Sequence, residues 1–289
     1  MKRKTISIFF MVSLCALSAF QRPKETRADG LKRINTAQMT KVATKNDYFR
    51  LNQATKAGPF KEKKVVLPKG TIISMSIGSG GDNASHSPNE KALSNDYDSN
   101  VGLSYALKKR VGVKYPAKGF QIWLSDFTAR YPKVRRPAYT LPYGQNVLYS
   151  GGVSAFSNLS SGSYHFGHPF NSNALRITSD GYLEFYKYAG TTLAGFDGRW
   201  RYTQKPTSYV KISHTVNKGY NKYLYFQYHL KGINDVRLHH KKYRYRLTIK
   251  NRHTPFVYIN DNAETYASIY SVGGHRYFTM PHAYENFGD

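Results

Sequence analysis

The run Ser208-Tyr209-Val210-Lys211-Ile212-Ser213-His214-Thr215-Val216, the turn Asn217-Lys218-Gly219-Tyr220-Asn221 and the run Lys222-Tyr223-Leu224-Tyr225-Phe226-Gln227-Tyr228-His229-Leu230 decide the fold class. Two β-rich runs around a Gly-containing turn read as an antiparallel hairpin. In the second run, Leu224, Phe226, Tyr228 and Leu230 fall on one face, and Tyr223, Tyr225, Gln227 and His229 on the other. The pattern recurs on both sides. Ala174–Thr178 and Tyr182–Tyr188 flank Ser179-Asp180-Gly181, and Thr265–Val272 and His275–Met280 flank Gly273-Gly274. Lys242–Lys250 alternates strictly, setting Tyr243, Tyr245, Leu247 and Ile249 against Arg244, Arg246, Thr248 and Lys250. Short strands separated by turn signals predict an antiparallel β-sandwich or barrel over residues 164–289.

Upstream, residues 131–163 read as a basic, Pro/Gly/Ser-rich connector carrying Pro132, Pro137 and Pro142 beside Lys133, Arg135 and Arg136. Residues 47–130 read as a small β module plus short helices. Val65-Val66-Leu67-Pro68-Lys69-Gly70-Thr71-Ile72-Ile73 places two β-rich runs around a Lys-Gly-Thr turn. Ser87-Pro88-Asn89-Glu90 carries an N-cap, a first-turn Pro and a Glu that reaches back, so it starts a helix. A second helix is predicted over Asn100–Arg110, where Leu103, Ala106 and Leu107 share a face and Lys108, Lys109 and Arg110 meet the negative end of the helix dipole. Two short helices are thus expected between about 88 and 110. Phe120–Leu124 reads as a strand. Residues 29–46, poor in large apolar groups, read as a flexible lead-in.

The stretch at about 38–78 resembles the SH3-like or surface-layer-type attachment modules of bacterial walls, on its basic strand, its Lys69-Gly70-Thr71 turn and the strand that follows. The high Lys and Tyr content is similar to that of secreted basic surface proteins of lactobacilli. These resemblances imply a wall-associated protein whose N-terminal module is an SH3-like fold.

Residues 1–28 have the layout of a secretory signal peptide. Lys2, Arg3 and Lys4 precede an apolar run from Ile6 to Phe20, about 15 residues against the roughly 20 that a span requires. Cleavage is expected after Ala28, with Ala19 as second choice. The single Cys, Cys15, lies inside this segment. The mature chain therefore has no disulfide, thiol nucleophile or Cys-ligated metal, and no transmembrane segment is expected after processing.

Of the 289 residues, 43 are Lys or Arg and 17 Asp or Glu, a net charge of +26. The leader carries six of those cations and one of those acids, so most of the charge belongs to the mature chain. A mean hydropathy of −0.57 excludes a multispan membrane protein, and 25 Tyr argue against wholesale disorder. Such a charge selects polyanions as partners, and export makes these the anionic cell-wall polymers, teichoic acid and peptidoglycan. No motif of a specific nucleic-acid binder appears. The polyanion-binding candidates are Lys61, Lys63 and Lys64; Lys133, Arg135 and Arg136; and Arg237, Lys241, Lys242, Arg244, Arg246 and Lys250. Tyr223 and Tyr225 are candidates for stacking on glycan rings.

No catalytic constellation is evident, and no cofactor or metal is expected. His165 and His168 lack helical context and nearby carboxylates. Gly102-Leu103-Ser104-Tyr105-Ala106 imitates a nucleophile elbow but sits in the predicted helix, not at a strand–turn–helix junction. Asp82, Glu90, Asp96 and Asp98 lack the spacing of an EF-hand. The function read from the sequence is non-enzymatic wall association. The alternatives are a secreted, bacteriocin-like antibacterial protein and a wall-polymer hydrolase. The sequence leaves oligomeric state open.

Overall fold

The computed structural model describes residues 31–43, 46–57, 65–76, 102–114, 131–144, 146–151, 173–187, 205–260 and 263–279. The C-terminal half is a closed, eight-stranded antiparallel β-barrel. Its strands follow chain order around the barrel: β7 (Val147–Ser150), β8 (Ala174–Ile177), β9 (Tyr182–Tyr186), β10 (Ser208–Lys218), β11 (Asn221–Phe226), β13 (Tyr245–Asn260), β14 (Ala263–Val272) and β15 (His275–Thr279). Pairing of Tyr277 with Ser150 and of Phe278 with Tyr149 joins β15 back to β7, which removes the free edges. The short β12 (Val236–Arg237) pairs with the start of β13.

The predicted hairpins form where the glycines permit them. Gly181 has φ +83, Gly219 φ +56, and Gly273 and Gly274 φ +55 and +91. Alternation then sends Leu175, Ile177, Leu183, Phe185, Val210, Leu224, Phe226, Leu247, Ile249 and Val272 inward as one packed core. Segments outside the strands complete it. Leu141 and Tyr139 pack in from the chain before β7, and Leu230 and Ile233 from the β11–β12 connection. The sandwich-or-barrel alternative thus resolves to a barrel filled by side chains.

Two local readings change. Tyr228, expected on the core face with Leu224 and Phe226, is 74% exposed, because β11 ends at Phe226 and the chain bends there. The strand predicted over Lys242–Lys250 starts at Tyr245 and runs to Asn260, through a bulge between Asn251 and Thr254 with His253 at φ +50.

Beyond the bulge, β13 is joined by β1 (Leu31–Arg33), in register Leu31 with Tyr258 and Arg33 with Phe256. Helix α1 (Thr36–Val42) follows, closed by a capping box in which Asn35 and Gln38 bond each other's backbone N–H, with Met39 fully buried. Residues 31–43 are therefore a strand and a helix where a flexible lead-in was expected.

The remaining strands form a three-stranded sheet, β5 (Ile72–Ser76), β2 (Asn46–Arg50) and β6 (Lys133–Val134), and a two-stranded sheet, β3 (Thr55–Ala57) with β4 (Val65–Leu67). The Lys69-Gly70-Thr71 turn carries the chain from one sheet to the other, with Gly70 at φ +85 and the Thr71 hydroxyl donating to Pro68 O at 2.7 Å. Leu51, Leu67, Ile73, Leu103, Leu107 and Tyr131 make this half's own core. The connector expected over 131–163 contributes β6 to this half and β7 to the barrel.

Helix α2 (Tyr105–Arg110) is shorter than predicted and capped by Ser104. The helix expected from Ser87, the strand over Phe120–Leu124 and the Asp82/Asp96/Asp98 loop lie outside the described residues. The N-terminus of α2 sits on the barrel wall. The Asp180 carboxylate, at the tip of the β8–β9 hairpin, accepts from Ser104 N at 2.9 Å and from the Ser104 hydroxyl at 2.6 Å. Glu184 accepts from Tyr105 N and from the Tyr186 hydroxyl, with Arg176 at 3.7 Å, all of it buried. Ser104 thus caps a helix and joins two halves. No helix among the described residues is long and apolar enough to cross a membrane.

Candidate polyanion interface

The outer face of β10, β11 and β13 brings the sequence-predicted aromatics and cations together. Cross-strand partners in an antiparallel pair point to the same side. The registers His214–Tyr225, Val216–Tyr223 and Lys218–Asn221, then Tyr225–Arg246, Tyr223–Thr248 and Asn221–Lys250, build one surface from three strands. Arg246 and Lys250, four residues apart, stand about 13 Å from each other along β13 at strand rise. The Arg246 guanidinium lies 5.3 Å from the Tyr223 ring centre, an exterior cation–π contact. Its Nε is buried with no hydrogen-bond partner among the described residues, a donor left unsatisfied.

Residues that alternation assigned elsewhere complete the surface. Tyr243, which alternation set on the face opposite Arg246, precedes β13, and its ring lies 4.8 Å from Tyr225 and 6.0 Å from His214. His240 stacks on Tyr243 at 4.0 Å and 7°. The backbone N–H of Lys242 donates to His240 Nδ1 at 3.1 Å, which holds that ring in place. His214, Tyr225, Tyr243 and His240 therefore form a continuous aromatic cluster, stacked where Tyr243 meets His240 and tilted at both Tyr225 contacts, with exposed His at both ends and half-buried Tyr between. Exposed Lys241, Lys242 and Arg244 border it. The bulge of β10 between Ile212 and His214 is what turns His214 outward beside Tyr225.

The other candidates are placed apart. Arg237 is exposed but pairs with Tyr245, on the opposite side of the ladder from Arg246. Lys133 is bonded to Asp47 at 2.6 Å, and Arg136 donates to Thr140 O at 3.1 Å, while Arg135 is exposed. Lys61, Lys63, Lys64 and Ala28 lie outside the described residues.

The scarcity of acid sharpens the electrostatics. The four carboxylates with described surroundings are all engaged: Asp47 with Lys133, Asp180 with Ser104, Glu184 with Arg176, and Asp235 with His229 at 2.8 Å. None of these pairs includes a residue of the aromatic cluster or of its bordering cations. The face presents flat rings suited to C–H stacking and cations suited to phosphate or carboxylate. Among the described residues no group of three His, Cys, Asp or Glu side chains converges as a metal site would. No family model matches this chain, and neither the curated proteins nor the solved structures include a match to it.

Proposed function

We propose that this chain is exported from a Gram-positive bacterium and associates, without catalysing a reaction, with anionic cell-wall polymers through the outer face of β10, β11 and β13. The observation that carries the reading is the His214–Tyr225–Tyr243–His240 aromatic cluster bordered by Lys241, Lys242, Arg244 and Arg246, with no described carboxylate paired to it. A teichoic-acid-type polymer carries phosphate beside polyol or sugar, and so suits rings bordered by cations. The signal-peptide layout of residues 1–28 supports export. The five short strands of the N-terminal half, with their Lys69-Gly70-Thr71 turn, support an SH3-like attachment module in a surface protein similar to those of lactobacilli.

The test is sedimentation with purified walls. Reversing Arg244, Arg246 and Lys250 together to Glu removes about three phosphate contacts and weakens binding on the order of 100-fold at physiological salt, with circular dichroism unchanged. Tyr243→Ala weakens it further only where rings stack on the polymer. Unchanged binding by the triple variant would overturn the reading. Turnover of wall polymer, or killing of target cells, would replace it with the hydrolase or the antibacterial alternative.

A further inference from the structure

We propose that Lys222 and Arg136, at the end of the barrel covered by residues 136–141, form a binding site for a single phosphate-type oxyanion. This site goes beyond the outer face and uses a different side of the same strand. Lys222 shares the inward side of β11 with Leu224 and faces Asn217 across the ladder. Its ammonium donates to Ala138 O and, at 2.8 Å, to Asn217 Oδ1. Asn217 Nδ2 donates in turn to Ala138 O at 3.2 Å. An ammonium has three N–H groups, so one remains among the described residues. Arg136 spends one donor on Thr140 O and has four more. The turn between them is fixed, since Thr140 N and the Thr140 hydroxyl both donate to Pro137 O, at 3.1 and 2.8 Å.

The half-buried Lys222 ammonium has no counter-charge among the described residues, where the four carboxylates are all engaged elsewhere. Burial, and after it the Arg136 charge, push the Lys222 ammonium from the ordinary 10.5 down to about 8, and no acid acts on it in the opposite sense. An oxyanion bridging Lys222 and Arg136 would supply that charge and accept the remaining N–H bonds of both. A phosphate has enough acceptor oxygens for a Lys and an Arg together. It could be free phosphate or a phosphate group of a polymer.

The experiment titrates the folded chain with inorganic phosphate, and separately with a polyglycerol-phosphate polymer, against sodium chloride of equal ionic strength. Melting temperature and the NMR titration of Lys222 are the readouts. Phosphate is expected to raise the melting temperature and to move Lys222 back toward the ordinary lysine range. Lys222→Gln and Arg136→Gln should each weaken phosphate binding about tenfold or more. Arg136 is exposed, so its variant keeps the test valid should Lys222→Gln fail to fold. A response to phosphate alone assigns the site to the free ion, and a response to both assigns it to the group wherever it is carried. A chloride control that reproduces the effect, or an Arg136→Gln variant that binds phosphate like the parent, would overturn the proposal. The Arg244/Arg246/Lys250 reversal should leave the phosphate response intact, so failure of this site and failure of wall binding are separately visible.

Discussion

Glu184→Ala tests how the two halves are held together. Glu184 is fully buried and Arg176 is 1% exposed. The Arg176–Glu184 separation is 3.7 Å, long for an ion pair, so the carboxylate's hydrogen bonds from Tyr105 N and the Tyr186 hydroxyl carry much of its role. Truncation takes the Glu184 charge away from the buried Arg176 guanidinium and withdraws an acceptor from the first turn of α2. Removing one member of a buried pair costs about 3–5 kcal/mol. For a barrel-sized domain this is a fall in melting temperature of about 6–20 °C. Replacing both members, Arg176→Met with Glu184→Leu, should cost clearly less than the sum of the single changes, since no charge is then stranded. Urea denaturation of the parent, both single variants and the double variant gives the coupling, and hydrogen exchange at the Leu107 amide reports whether α2 loosens. A Glu184→Ala cost below about 1 kcal/mol, or strict additivity in the cycle, would refute this reasoning.

Further outcomes follow from single positions. A Cβ on Gly232, at φ +93, would lie 2.1 Å from Phe185 Cε1, so Gly232→Ala should cost about 3 kcal/mol; Gly274→Ala, at φ +91 in open space, should cost only the conformational 1–2 kcal/mol. A denaturant midpoint equal for the two variants would contradict the packing at Phe185. Stability should rise with pH from about 8 toward about 10, because over that range the unfolded chain binds a proton at Lys222 that the folded chain lacks, and burial lowers the Lys211 ammonium in the same sense. Above about 10 the slope should reverse, since burial raises the Tyr139, Tyr182, Tyr270 and Tyr277 phenols and the unfolded chain loses those protons first. Lys222→Met should shrink the rising limb and leave the part that Lys211, also lowered by burial, contributes; a parent curve that only declines from pH 8 would contradict the sign. Mass spectrometry of culture supernatant should find a mature N-terminus near Asp29; a full-length chain confined to cells would count against export.

Much of the barrel was legible because its hairpins are local. Asp180-Gly181, Gly219 and Gly273-Gly274 punctuate alternating runs, and each glycine takes the positive φ that the turn requires. Closure was not legible. The pairing of Tyr277 with Ser150 joins residues more than a hundred positions apart, and four-residue β7 carries no periodicity of its own. Pro255 suggests a strand end, yet β13 continues past it because the bulge at Asn251–Thr254 resets the register and β1 takes over as neighbour. At the interface, alternation placed Tyr223, Tyr225, Arg246 and Lys250 on the outer side, where the registers put them. It misplaced Tyr243, which lies before the strand begins and obeys no period of two. His214 joined the surface through a bulge, and His240 through a loop stack, neither of which has a sequence signature.

The most direct test of the account measures binding of the purified chain to intact walls and to walls stripped of teichoic acid, across a salt series. An outer face whose cations pair with no described carboxylate predicts that binding to intact walls falls log-linearly with salt, with a slope set by the number of phosphates engaged, and that stripping abolishes most of it. Binding to stripped walls that is undiminished and insensitive to salt would contradict the account, and would mean that the charge is incidental and a specific glycan site does the recognition.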